Sequence, residues 1–562
     1  MVMRRYDDRY KPAAFFSVVL ATFLVWFWSV HRLFVLPPAI FLAAWRAAKV
    51  TPDVPAIWVP TAVAFSYGLL VMGVIFGYFK SGFEGADYVM YLRGARMVGH
   101  ARLKDMTRKF FYKHLRIAGV PIPEWLEALH FRVIGSTGAG KSVVISDYIE
   151  SALARRERMI CIDPNGQFME KFYREGDIII NPFEARTKFW GIFNEIRTPY
   201  DVASYSISLI PKSPSTEQEI WNAMARTISS EVMLKLWRLG IGDTDHLVYW
   251  LTIASNEQLM EMLADTAARG MFHGAEETIG SVRAVLTRYI TPHKYLSDIE
   301  TVEGYFSLRE WIDSNAEDQP NVWIIWREDQ LASLKPLISC MFDVACNAAL
   351  SKPITDETVA THLVVDEVDS LEKLNYLVPA ATKGRKHRLH ICAGMQSDAQ
   401  LDGTNGKDDA MTVRNSLRTT VALGIAEGDT YTAEQLSKGL GEHEVIRQRT
   451  TASDTGRDSH GQEVIKERVV IPSQITGLPN LTGYLKLAGD WPICKFTMPY
   501  KKRKAVTEAF IMAQNRWTMD AEAANEQARM DFSRAKRAAT DVDARDVDDD
   551  DSPSPALESS RP

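Results

Sequence analysis

Gly135-Ser136-Thr137-Gly138-Ala139-Gly140-Lys141-Ser142 has the spacing G-x-x-x-x-G-K-[ST]. Glycines at these positions let backbone N–H groups curl around phosphate oxygens, and the N-terminus of a following helix adds a favourable dipole. A lysine in the seventh place reaches the β- and γ-phosphates, and the serine hydroxyl after it ligates Mg²⁺. The pattern therefore predicts a site for ATP with Mg²⁺, built from residues 135–142. Thr361-His362-Leu363-Val364-Val365-Asp366-Glu367 is an apolar run ending in two carboxylates. Downstream of a phosphate loop, it assigns Asp366 to the Mg²⁺ shell, through water, and Glu367 to polarising the attacking water.

Three further segments bear on the same chemistry. Residues 389–396 form another apolar run with a polar end, where Gln396 could sense the γ-phosphate or orient water. Just before it stands Lys383-Gly384-Arg385-Lys386-His387-Arg388. This is either a solvated basic turn or the carrier of an arginine finger, Arg385, aimed at a neighbour's γ-phosphate, a contact worth about 10³–10⁵ in rate. Residues 158–163 read as a strand, and Asp163 at its end either faces a nucleotide or caps the Pro164-Asn165-Gly166 turn.

The elements that must position these groups follow from the pattern. Residues 131–134 are a short β-prone run ahead of the phosphate loop. Residues 143–154 read as a helix burying Val143, Val144, Ile145, Tyr148 and Ile149. That strand–loop–helix context is what the motif requires. Ser142 and Asp366 lie 224 positions apart. Two or three βαβ units of about 30 residues each use only about 60–90 of these, so about 120 residues are inserted. Residues 200–310 read as helical. Ser215-x-x-Gln218 opens a helix closed by Gly240, Ser255-x-x-Gln258 opens one ending near Gly270, and 276–290 is a third. Trp221, Leu236, Trp237 and Trp250 are the expected core of this insertion.

The N-terminal part is of a different character. Residues 12–30 and 57–79 contain no charged residue, and about 20 apolar helical residues suffice to span a bilayer. A cleaved signal peptide does not fit the first stretch, because it is long and is followed by His31 and Arg32 rather than a small-residue cleavage site. Four bases precede it, three lie between the stretches, and nine follow between 80 and 116. Positive charge stays on the cytoplasmic side, which predicts both ends inside and a short loop outside. Gly73 and Gly77 form a GxxxG that would let helices approach closely. The basic stretch 80–116 reads as a juxtamembrane segment drawn to anionic lipid, with nucleic-acid contact as the weaker alternative.

Averages conceal this asymmetry. The chain has 562 residues, 46% hydrophobic and 24% charged, with a mean hydropathy of −0.15 and a formal net charge of −6. These values exclude wholesale disorder, a collagen-like repeat and a disulfide scaffold. Residues 1–130 carry 16 bases and 8 acids, whereas 541–562 carry eight acids and two bases. That last segment, with its prolines and serines, is expected to be disordered. Five cysteines without CxxC spacing are expected to be reduced and buried, with no redox or zinc role. Arg447, Arg449, Arg457, Lys466 and Arg468 surround a polar stretch with a β-prone end at 463–471, either a solvated hairpin or the lining of a DNA channel. Residues 508–538 carry a helical pattern.

Taken in order, GSTGAGKS, IDPNGQF, NPFEARTKFWGIFNEI, HLVVDE, ATKGRKHRLHICAGMQSDAQL, LGEHE and RVVIPSQITGLPNLTGYLKLAGDWPI, after two apolar stretches, resemble the coupling proteins of conjugative type IV secretion. The resemblance covers roughly residues 10–495. It implies an α/β, RecA-like nucleotide-binding domain with an inserted all-alpha domain and a transmembrane hairpin. The domain division it implies is 1–80 hairpin, 81–195 and 311–505 motor, 196–310 all-alpha domain, and 506–562 tail. It also implies a homo-hexamer in the bacterial inner membrane, with most of the chain cytoplasmic. The implied activity is DNA-dependent ATP hydrolysis that brings relaxase-bound DNA to a secretion channel, with the all-alpha domain facing the relaxosome. By motif, Lys141 and Ser142 would bind nucleotide and Mg²⁺, Asp366 and Glu367 would be the acid pair, and Arg385 and Gln396 would complete the site. Two other classes compete: a substrate receptor whose ATP binding serves assembly only, and a chromosome-type DNA translocase. The two-span anchor and the long insertion argue against the latter. An ABC transporter does not fit, because Leu436-Ser437-Lys438-Gly439 does not continue into LSGGQ.

Overall fold

The computed structural model describes residues 10–33, 46, 49, 53–80, 90–109, 111–273, 276–296, 305–316, 318–355, 358–451, 459–513 and 529–534. The chain forms two compact units. One comprises Met1–Arg102, Ser437–Ile471 and Asp490–Lys495, and the other Leu103–Leu436, Pro472–Gly489 and Phe496–Pro562.

In the first unit the two apolar stretches are helices, α1 (Tyr10–Leu33) and α2 (Pro55–Lys80). They lie against each other. The Trp26 indole donates to the Thr61 hydroxyl at 3.0 Å, and Gly68 permits the approach, since a Cβ there would stand 2.5 Å from Thr22 Oγ1. Phe16, Leu20, Leu24 and Trp28 on α1, and Val59, Phe65, Leu69 and Leu70 on α2, are exposed. Among the described residues, no helix is long and apolar enough to cross a membrane. The structure thus supplies the helix pair but not its insertion. The surroundings of Gly73 and Gly77 lie outside the described residues.

The same unit holds a three-stranded antiparallel sheet. Strand Met90–Gly94 pairs with Glu442–Thr451, which pairs along its length with Ser459–Arg468. Its described charges are largely matched across strands: Arg93 with Glu444, Arg447 with Glu467, and Lys466 with Glu442. Such exposed pairs contribute little stability; of the five bases expected around this polar stretch, Arg447 and Lys466 are paired in this way. Residue Arg457 and the side chain of Arg449 lie outside the described residues.

Among the described residues, the second unit is built, besides a few two-residue strands, around eight strands of one sheet. In chain order they are β1 (Phe131–Ile134), β2 (Arg158–Pro164), β3 (Ile178–Ile180), β4 (Val322–Trp326), β5 (Thr361–Val365), β6 (Leu389–Met395), β7 (Thr419–Leu423) and β8 (Thr482–Lys486). Their spatial order is β8-β7-β1-β6-β5-β2-β4-β3. All neighbours are parallel except β8, which runs antiparallel to β7. Near-continuous apolar strands such as β4 (VWIIW) are expected when both faces of a parallel sheet are covered, and every β4 residue is buried. α3 (Lys141–Ala154) leaves the phosphate loop and buries Val144, Ile145, Tyr148 and Ile149. Val143, expected in that face, is half-exposed. It falls to the side of the stripe that positions 144, 145, 148 and 149 form at 3.6 residues per turn.

The predicted insertion lies between β3 and β4. α4 (Pro199–Leu209) starts from a Thr198–Asp201 capping box. α5 (Thr216–Arg238) is capped by Ser215 and ends before Gly240, which adopts φ +70°. Ser255 and Gln258 form the expected capping box. The helix they open stops at Met262 rather than near Gly270, and the Lys235 ammonium takes the Met262 carbonyl left free there, at 2.7 Å. α6 (Glu276–Ile290) matches its predicted span. Val232, Leu236, Leu247, Leu251, Leu286 and Ile290 are fully buried here. Trp250 is buried too, but Trp221 and Trp237 are half-exposed rather than core.

The expected helix over 508–538 is not continuous. Residues 511–513 are extended and hydrogen-bond to Phe183, Glu184 and Ala185. Residues 514–528 lie outside the described set. The helical residues 529–534 place Phe532 on Trp250, with ring centroids 4.7 Å apart. The acidic segment 541–562 also lies outside the described residues. All five cysteines are free and buried, as expected.

Candidate nucleotide site

The phosphate loop crosses from the end of β1 to α3. Gly138 and Gly140 have φ of +80° and +111°, values open to glycine but costly for a residue with a Cβ. Gly140 is also pressed from outside: a Cβ would meet Leu481 at 2.8 Å. The loop is braced on two sides. The backbone N–H and hydroxyl of Ser136 both donate to the Gly424 carbonyl at 2.9 Å, and the Leu481 N–H donates to the Ala139 carbonyl at 2.9 Å. Lys141 is buried, its Nζ donating to the Gly135 carbonyl at 2.9 Å. Ser142 follows as the second residue of α3.

The acid pair stands at the end of β5, between β2 and β6 and so at the same edge of the sheet. Asp366 is 2% exposed. Its carboxyl is pushed up to about 7, chiefly by burial and then by the charge of Glu367, while Lys141 opposes the shift. One oxygen, Oδ2, accepts the Gln167 side-chain amide at 2.9 Å. The other, Oδ1, is buried with no hydrogen-bond partner among the described residues. Gly394 on β6 makes room for it, since a Cβ there would lie 2.6 Å from Oδ1. A buried, unpartnered carboxylate oxygen near a lysine and at the end of a phosphate loop fits a Mg²⁺ shell.

Glu367 takes a left-handed conformation, φ +61°, which is uncommon for a residue with a side chain. Its carbonyl accepts the N–H and hydroxyl of Ser370. Its carboxylate Oε1 accepts the Gln396 amide at 2.9 Å. Gln396 and Glu367 are therefore in direct contact.

Asp163 makes the contacts of the turn-capping reading, and its Oδ1 is buried without a partner among the described residues. Its Oδ2 accepts the N–H groups of Phe168 and Met169 at 2.9 and 2.8 Å, and burial pushes its carboxyl up to about 8. By closing that turn it presents Gln167 to Asp366. Sequence reasoning missed Gln167, although it stands in the IDPNGQF segment. It also missed Asp369, three residues beyond Asp366 in the run DEVD.

Arg385 is not with the others. It lies exposed in the 3₁₀ turn Gly384–His387, between α7 (Leu377–Lys383) and the start of β6. The carbonyl of Arg388 accepts the N–H of Thr361, which marks this turn as the opposite edge of the sheet. The seven residues of β6 separate it from Gln396, about 23 Å at roughly 3.3 Å per residue. Arg385 therefore cannot reach its own chain's phosphate loop.

Residues 114–499 match the family model of the type IV secretion-system coupling protein DNA-binding domain. Coupling protein TraD of Escherichia coli (strain K12) is 30% identical over 407 residues, 71% of this chain. The chain spans 56% of that relative's length. Among solved structures, the bacterial conjugative coupling protein TrwBdeltaN70 is 39% identical, with a TM-score of 0.71 over 77% of this chain and 99% of its own. TrwB in complex with ADP and Mg²⁺, and in complex with a non-hydrolysable ATP analogue, matches at the same identity with a TM-score of 0.70, each over 77% of this chain and 100% of its own. The described sheet is accordingly a RecA-like α/β nucleotide-binding fold.

Proposed function

The chain belongs to the type IV secretion-system coupling protein family, and from that membership we propose that it is an inner-membrane coupling ATPase. It recruits relaxase-bound DNA to a type IV secretion channel and spends ATP on its transfer. The observation that carries the enzymatic part is the assembly of Lys141, Asp366, Glu367 and Gln396 at one edge of the sheet, beside a glycine loop. Residues 135–142 hold the triphosphate. Lys141 turns from the Gly135 carbonyl to the β- and γ-phosphates. Ser142 and Asp366 hold Mg²⁺, which when bound neutralises charge developing on the phosphates. Glu367, aimed by Gln396, orients the attacking water. Arg385, out of reach of its own site, serves the site of a neighbouring subunit, which requires adjacent subunits, as in a homo-hexamer. Residues 196–310 form an all-alpha domain that faces the relaxosome. α1 and α2 anchor the chain, supported by their exposed apolar faces and by the uncharged sequence at 12–30 and 57–79.

The test uses the full chain in detergent or lipid. ATP turnover is measured with and without single-stranded DNA, beside transfer in mating cells. Lys141→Ala is expected to abolish both; if both survive, the proposal fails. Glu367→Gln is expected to stop turnover and transfer together. Transfer that persists without turnover would show a receptor instead.

A further inference from the structure

We infer that Asp369 is a positioning residue for hydrolysis, holding Gln396 in place so that Gln396 can hold Glu367. The inference rests on the catalytic reading of Glu367 given above. Asp369 lies in the 3₁₀ turn Val368–Ser370 that follows the acid pair, and it is 7% exposed. Its Oδ2 accepts two consecutive backbone N–H groups, those of Gln396 at 2.8 Å and Ser397 at 3.2 Å. These are the first two residues beyond β6. One carboxylate thus ties the end of β5 to the end of its parallel neighbour. Charge-assisted hydrogen bonds of this kind are about twice as strong as neutral ones.

The geometry has a direct consequence. With the Gln396 backbone fixed, its side-chain amide reaches Glu367 Oε1 at 2.9 Å. Glu367 sits in a left-handed backbone conformation that its surroundings must sustain, and the Gln396 amide is what its carboxylate meets there. The other side of the same loop is anchored independently. Ser397 caps the helix Asp398–Asn405, and Asp398 forms a buried ion pair with Arg132 of β1. Removing Asp369 therefore frees Gln396 without unfastening the helix. Lys141 and Ser142 make no contact with Asp369 among the hydrogen bonds of the described residues, so triphosphate binding is separate from this hold. The second carboxylate oxygen of Asp369 is buried without a partner, so replacing it with an amide nitrogen breaks no hydrogen bond.

Full-length variants are compared by steady-state ATP turnover, by binding of fluorescent ADP and by thermal melting. Asp369→Ala is expected to lower kcat at least tenfold, with KM for ATP and affinity for ADP changed less than twofold. Asp369→Asn, whose amide oxygen accepts the same two N–H groups, is expected to recover kcat to within about threefold. Gln396→Ala is expected to match Asp369→Ala, and the double variant to fall no further. If the alanine variant does not fold, Asp369→Glu, which keeps the charge but shifts the acceptor by one methylene, is expected to show the same loss. The inference is overturned by parental kcat in Asp369→Ala, by equal losses of kcat and ADP affinity, by failure of the asparagine to rescue, or by additive losses in the double variant. Glu367→Gln is run in parallel. Parental turnover in that variant defeats the catalytic reading itself, whereas an inactive Glu367→Gln beside an intact Asp369→Ala defeats this inference alone.

Discussion

Gly394 and Gln167 approach Asp366 from opposite neighbours, one on β6 and one past β2. Gly394 acts by having no side chain. An alanine there would put a Cβ 2.6 Å from Asp366 Oδ1 and 3.0 Å from Ile145, so the carboxylate must move. Gly394→Ala is expected to lower kcat by more than tenfold, read by steady-state ATP turnover, and to lower the melting temperature only modestly, since one carboxylate rather than the backbone yields. Gln167 acts through a single hydrogen bond. Gln167→Ala removes the side-chain hydrogen bond to Asp366, and a lost hydrogen bond costs about 0.5–1.5 kcal/mol, more where the group is charged. The expected outcome is a several-fold higher Mg²⁺ concentration for half-maximal turnover, with ADP binding in the absence of Mg²⁺ unchanged. An unchanged Mg²⁺ midpoint would refute this role. The phosphate loop was legible residue by residue because its chemistry is contiguous. Gln167 and Gly394 were not, because nothing in the local pattern links positions 167, 366 and 394.

The helical insertion shows how far element-level signals extend. The caps at Ser215 and Ser255 and the span of α6 were readable from short-range spacing, since capping involves residues three apart. The early stop at Met262 was not, and the Lys235 side chain that meets its carbonyl comes from α5, far away in sequence. Buried titratable groups were likewise invisible to sequence. His293, in the 3₁₀ turn Thr291–His293 after α6, is 1% exposed, and burial holds its pKa down to about 4. A folded-state pKa below the ordinary 6.5 favours the neutral ring. The stability it contributes is thus complete above about pH 6.5 and is lost as pH falls towards 4, on the order of 1 kcal/mol per pH unit. His293→Leu is expected to narrow the gap in melting temperature between pH 8 and pH 5; an unchanged gap would refute the burial of a neutral ring. Gly240 offers a backbone counterpart. It adopts φ +70° in open space, so Gly240→Ala is expected to cost about 1 kcal/mol through strain alone, measured as a fall in melting temperature.

The position of Arg385 is decided at the scale of the whole molecule. Its turn and its own phosphate loop lie at opposite edges of one sheet, so any role in hydrolysis is between subunits. Lys141→Ala and Arg385→Ala proteins are each expected to be inactive. When mixed and allowed to exchange, they are expected to recover part of the lost turnover, at interfaces where an intact loop meets an intact arginine. No recovery on mixing would rule out the contribution between subunits. The sequence by itself determined the phosphate loop, the acid pair, the helical character of the insertion and the uneven distribution of charge. Each of these is a property of neighbouring residues, fixed by propensity, periodicity and short-range spacing. The tertiary structure alone decided which distant groups meet: Gln167 with Asp366, Asp369 with Gln396 and Gln396 with Glu367, while Arg385 is held away. Those contacts follow from β5 lying between β2 and β6, an order set by the packing of the whole sheet.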